Sequence, residues 1–127
     1  MNFVILDHQP PERGGLSKSR TGERHFDLMF EVEESDKLKT FALETLPLNE
    51  GEDVEATKLD DHRREYLNYE GPVSDNRGTV SRIAEGSWSG DMAGQMTLTF
   101  DASSARFAGQ IWHLRFDGEG SRLYRIS

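Results

Sequence analysis

Apolar and polar residues alternate along several short stretches of this chain, and a period of two marks half-buried β-strands. In His25-Phe26-Asp27-Leu28-Met29-Phe30-Glu31-Val32-Glu33 every even position is apolar, and every odd position except Met29 is polar. The pattern predicts a strand whose Phe26, Leu28, Phe30 and Val32 face a core. Similar alternation marks residues 96–100 and 111–116, and shorter candidates lie at residues 3–6, 38–43, 79–83 and 123–126. Turn-forming clusters fall between these runs: Asn76-Arg77-Gly78, Glu85-Gly86-Ser87, Ser89-Gly90-Asp91 and Asp117-Gly118-Glu119-Gly120.

Many short strands separated by turns predict a mainly β protein, a compact antiparallel β-barrel with short helical or loop insertions, in one domain over residues 1–127. The only helical candidate is a weak one within residues 52–66. Residues 10–22 are polar, glycine-bearing and without periodicity, which reads as a long loop.

Composition narrows the chemistry. A chain of 127 residues can bury a core without covalent staples. The absence of cysteine excludes disulfides and thiolate catalysis, so any metal must be held by nitrogen and oxygen. The net charge of −8 opposes contact with phosphate backbones, so only weak nonspecific binding to duplex DNA is expected. The first residues lack the basic lead of a secretory signal, and no stretch has the length of a membrane span. A cytoplasmic protein without membrane contact is the expectation.

His25 and Asp27 leave the same face of their predicted strand. An imidazole beside a carboxylate is half of a metal site, and two histidines with one carboxylate suit Mn, Fe or Zn. The same spacing also fits the solvated face of an antiparallel strand. His62 lies in Leu59-Asp60-Asp61-His62-Arg63-Arg64-Glu65-Tyr66, whose imidazole, guanidiniums and phenol serve phosphate chemistry or form a charged turn. His113 reads as a strand-surface residue, and Tyr69, Trp88 and Trp112 read as core or cavity-wall aromatics. Nucleotide-binding glycine loops and the Gly-x-Ser-x-Gly elbow are absent.

In order along the chain, several segments resemble the 3′-phosphoesterase domain of bacterial DNA ligase D. Phe3-Val4-Ile5-Leu6-Asp7-His8 is similar to that family's strand ending in histidine. His25-Phe26-Asp27-Leu28-Met29-Phe30-Glu31 is similar to its His-Tyr-Asp-Phe-Arg-Leu-Glu strand, and Leu38-Lys39-Thr40-Phe41-Ala42-Leu43 to its Leu-Lys-Ser-Trp-Ala-Val strand. Asp61-His62-Arg63-Arg64-Glu65-Tyr66, Tyr69-Glu70-Gly71, Gly78-Thr79-Val80, Gly86-Ser87-Trp88 and Gly109-Gln110-Ile111-Trp112-His113-Leu114 continue the likeness.

The resemblance implies a β-barrel and a divalent cofactor, manganese first and zinc second, held by His8, His25 and Asp27. It implies His62 at the scissile phosphate and Tyr66 beside it as catalytic residues. The implied partner is a phosphate ester, with the 3′-phosphate or 3′-ribonucleotide ends of nucleic acid as the family's substrates. Three features depart from the family. Its strand arginine is Met29 here, the loop between the first two histidines is longer, and residues 71–78 are shorter and lack a tyrosine. Parity places Met29 in the same site, so in a weakened version of the family enzyme Met29→Arg is expected to raise turnover, and to be neutral or harmful where another arginine already fills that role. Arg24, Arg63 and Arg77 are the alternative phosphate contacts. A stand-alone phosphoesterase, a metal- or ligand-binding module without efficient catalysis, and an interaction protein all remain open readings.

Overall fold

Ten strands appear in a computed structural model that describes residues 1–10, 24–73, 78–118 and 120–127. They are β1 (Asn2–Gln9), β2 (His25–Phe30), β3 (Lys37–Leu43), β4 (Asp53–Lys58), β5 (His62–Arg63), β6 (Gly71–Pro72), β7 (Thr79–Gly90), β8 (Gln95–Phe100), β9 (Ile111–Phe116) and β10 (Ser121–Arg125). Two 3₁₀ turns, Arg64–Leu67 and Ala105–Phe107, are the only helical elements among the described residues. Most of the predicted loop 10–22, with Asn76, Arg77 and Glu119 of the predicted turns, lies outside the described residues.

The expected barrel is present. The path β1-β2-β3-β4-β10-β9-β8-β7 is antiparallel throughout, and β7 pairs back onto β1, closing eight strands on themselves. Closure removes the free edges that an open sheet would expose. The interior holds Phe3 and Ile5 of β1, Leu28 and Phe30 of β2, Phe100 of β8 and Trp112 of β9. Phe100 meets Phe3 edge-on at 5.3 Å and Trp112 at 4.7 Å, the geometry favoured by ring quadrupoles.

β1 is buried on both faces, which is why Phe3 through Leu6 read as a continuous apolar run instead of alternating. Phe3 and Ile5 point inward, while Val4 and Leu6 point outward into a second cluster with Met29, Leu38, Tyr66, Val73 and Val80. The segment from β5 to β6 covers that outer patch. A bulge in β7 opposite Ile5 and Leu6 leaves Ile83 as the extra residue. Val80 thereby joins the outer cluster while Ala84 reaches the interior.

Two expectations need correction. The weak helix over residues 52–66 is instead β4 followed by β5 and one 3₁₀ turn. β4 turns only Val54 and Ala56 inward, small side chains whose alternation is faint, and its pairing with β10 overrides local preference. The second correction concerns Glu85-Gly86-Ser87, which lies inside β7 rather than in a turn. A Cβ on Gly86 would stand 2.1 Å from the Thr99 carbonyl oxygen and 2.9 Å from Phe3 Cε1. Glycine serves close strand approach there. The actual reversal follows at Asp91–Gly94, where Asp91 N–H donates to Gln95 O at 2.9 Å.

Candidate metal centre and its cleft

The β1–β2 register brings the first three candidate residues together. His8 pairs with His25 and Leu6 pairs with Asp27, so His8 and Asp27 are diagonal neighbours on the outer face. Ala42 of β3, opposite Asp27, is small enough to leave the carboxylate uncrowded. The side chains of His8 and His25 are 14% and 21% exposed, against 2% for Asp27. A carboxylate this dry needs compensation.

Compensation comes from the two rings. His8 Nδ1 lies 3.1 Å from Asp27 Oδ2, and since a carboxylate only accepts, that nitrogen is the donor. His25 Nε2 lies 2.9 Å from Asp27 Oδ1, an ion-pair distance without the direction of a hydrogen bond. Oδ1 is thus buried with no hydrogen-bond donor among the described residues. Burial alone pushes the Asp27 carboxyl upward, but contacts with His25 and then His8, and their charges, hold it at about 2.

The arrangement fits a divalent cation. The three candidate donor atoms lie within 4.8 Å of one another. An ion about 2.1 Å from each donor brings pairs of donors to within about 4.2 Å, so the rings need shift by less than about an ångström. Two imidazole nitrogens and a carboxylate oxygen suit manganese or zinc and leave coordination positions open. Oδ1, which meets only His25 Nε2 at 2.9 Å and accepts no hydrogen bond among the described residues, is the atom such an ion would approach.

The triad lines a cleft of about 1240 Å³ that also includes His62, Arg63 and Tyr66. β5 sets His62 opposite Leu38 of β3. His62 Nδ1 sits 2.9 Å from the Asp60 carbonyl oxygen, which can only accept, so this nitrogen carries the proton. Nε2 is then the basic nitrogen of the neutral ring. The His62 and Tyr66 rings meet edge-on at 5.9 Å, and Tyr66 is largely buried in the outer cluster.

The candidate phosphate contacts fare differently. Met29 lines the cleft, as its parity predicts, but is only 1% exposed. Arg24 forks onto Asp7, with Nε 3.0 Å from Oδ1 and Nη2 2.7 Å from Oδ2, so two of its donors are engaged. Arg63 is exposed, with its guanidinium 5.8 Å from the centroid of the Tyr66 ring. Arg77 lies outside the described residues. Sequence reading also missed two carboxylates of the cleft lining: Glu55, because β4 and its outward face were not recognised, and Glu44, which lies just beyond the end of β3.

His113 does not line this cleft. It lies on β9 opposite Thr97 and Tyr124, half-buried rather than fully at the surface, and burial followed by the Arg115 charge lowers its pKa. Trp112 is a core residue, Trp88 packs against the core, and Tyr69 packs on the outer cluster.

The fold and the triad define a closed antiparallel barrel with a candidate metal centre on its outer wall. No protein-family model matches the chain, and no curated protein matches it. No helix among the described residues is long and apolar enough to cross a membrane.

Proposed function

We propose that this protein is a divalent-metal-dependent phosphoesterase, of the kind its sequence resembles. The observation that carries the reading is the convergence of His8, His25 and Asp27 within a cleft that also contains His62. His8, His25 and Asp27 would hold manganese or zinc, which when bound supplies Lewis-acid polarisation of a phosphoryl oxygen. Water provides the hydroxyl that ends on phosphorus as the ester P–O bond breaks. His62, protonated on Nε2, gives its proton to the leaving oxygen and regains one from solvent. Tyr66 fixes the His62 ring through their edge-on contact.

A second reading, a metal-binding module without efficient catalysis, draws support from Met29. Its thioether is soft, uncharged and a weak acceptor where the resembled family places a guanidinium. Hydrolysis of a generic phosphodiester reporter and of a 3′-phosphorylated DNA end separates the two readings. The enzyme reading expects turnover of at least one substrate, lost on chelation and reduced on the order of a hundredfold in His62→Ala. Turnover surviving both treatments rules it out, and metal uptake without turnover leaves the binding module.

A further inference from the structure

The hydrogen bond that sets the His62 tautomer depends on the placement of one peptide plane. His62 Nδ1 donates to the Asp60 carbonyl oxygen at 2.9 Å. That oxygen belongs to the planar unit joining Asp60 to Asp61, so its direction follows the backbone dihedrals on either side, ψ of Asp60 and φ of Asp61. Whatever restrains Asp61 therefore restrains the acceptor.

Asp61 is held from two neighbouring strands. Its Oδ2 accepts from Lys39 Nζ of β3 at 3.1 Å, and its Oδ1 accepts from Lys58 Nζ of β4 at 3.3 Å. Lys58 Nζ also donates to the Leu59 carbonyl oxygen, and Leu59 N–H donates to Thr40 O of β3 at 2.9 Å. The side chains of Lys39 and Asp61 are 30% and 28% exposed, so neither is fully solvated. An isolated surface ion pair contributes little, whereas here one carboxylate joins two ammoniums in a network. The Lys39 hydrogen bond, and after it the Lys58 one, holds the Asp61 carboxyl below its ordinary range. The clamp thus stays charged at the pH where histidine titrates.

We infer that Asp61 is a positioning residue for His62. Clamped by Lys39 and Lys58, it fixes the Asp60 carbonyl that keeps the ring proton on Nδ1 and turns the basic Nε2 to the cleft. This rests on the phosphoesterase reading above for what Nε2 does, and Asp61 acts only through His62.

The test is ¹⁵N NMR of the histidine rings in the full chain with Zn²⁺ present, at a pH where histidine is neutral. His62 signals are identified by their loss in His62→Ala. The wild type should show a protonated Nδ1 and an unprotonated Nε2. In Asp61→Ala the two nitrogens should move toward a common averaged shift, because a ring freed from its acceptor exchanges tautomers. The double variant Lys39→Met, Lys58→Met, which leaves Asp61 in place, should do the same, and Lys39→Arg should keep the wild-type pattern. On a phosphodiester reporter with Mn²⁺, Asp61→Ala should lower kcat about tenfold and leave KM within about twofold, the mark of a misplaced catalytic group. Wild-type ring nitrogens in Asp61→Ala overturn the inference, whether or not kcat falls, as does a wild-type pattern in the double lysine variant. A wild type without turnover removes the phosphoesterase reading, and the ring nitrogens then decide alone whether Asp61 holds His62.

Discussion

His8 and His25 are register partners at the end of the β1–β2 ladder, and their ring centroids lie 4.7 Å apart with both imidazoles against the Asp27 carboxylate. Backbone pairing, not a flexible loop, therefore sets the spacing of the candidate ligands. Calorimetric titration should show one Mn²⁺ or Zn²⁺ bound per chain. His25→Ala and Asp27→Ala should each weaken binding on the order of a hundredfold, about 3 kcal/mol. Uptake should weaken in acid, because imidazole ligands must be neutral to coordinate. Equal affinity in all three proteins would refute the centre.

Asp27 should also leave a mark on acid stability. Its carboxyl is held at about 2, down from 3.8. A lowered carboxylate pKa contributes stability above the unfolded value and loses it as pH falls toward the folded one. Between pH of about 4 and 2 the wild type should lose about 2 kcal/mol more than Asp27→Asn. Urea unfolding at a series of pH values measures this, and parallel curves would contradict it.

Parity alone favours Met29→Arg, but the burial of Met29 changes the expectation. Met29 packs with Val4, Leu6, Leu38 and Tyr66, so a guanidinium would start in an apolar cluster. The substitution should lower unfolding free energy by about 2 kcal/mol or more, while Met29→Leu should stay within about 1.5 kcal/mol. A fully stable Met29→Arg protein with raised turnover would show that the side chain reaches the cleft without cost.

Gly86 gives a prediction independent of the site. An alanine there would push its Cβ against the Thr99 carbonyl and the Phe3 ring. Gly86→Ala should destabilise the barrel by about 2 kcal/mol, whereas Gly94→Ala, with nothing within 4 Å of its added Cβ, should change little. Matching denaturation midpoints for the two variants would mean that β7 and β8 separate easily.

Legibility tracked the size of inward-facing side chains. β2, β8 and β9 announce themselves because Leu28, Phe30, Phe100 and Trp112 alternate with polar residues. β4 does not, because Val54 and Ala56 are small and its pairing with β10 is decided far away in sequence. Gly86 concealed the second half of β7, because the close approach that requires glycine is invisible until Thr99 is placed beside it. Parity put His25 and Asp27 on one face, whereas His8 emerged from family resemblance rather than periodicity. Parity also placed Met29 correctly but said nothing of its cover, since Tyr66 and Val73 arrive from a later segment.

The β1–β7 pairing closes the barrel between strands separated by most of the sequence, whereas β1 and β2 are consecutive elements. Long-range pairing carries the larger loop-closure entropy and slows folding, so this seam is the step at which barrel formation is kinetically most demanding. His8 and Val80 face each other across it. An ion that binds His8 and Asp27 in the closed barrel and not in the unfolded chain adds its binding free energy to that of closure. Metal supply and the lifetime of the seam are then linked quantities, and amide exchange along β7 should slow when the centre is filled.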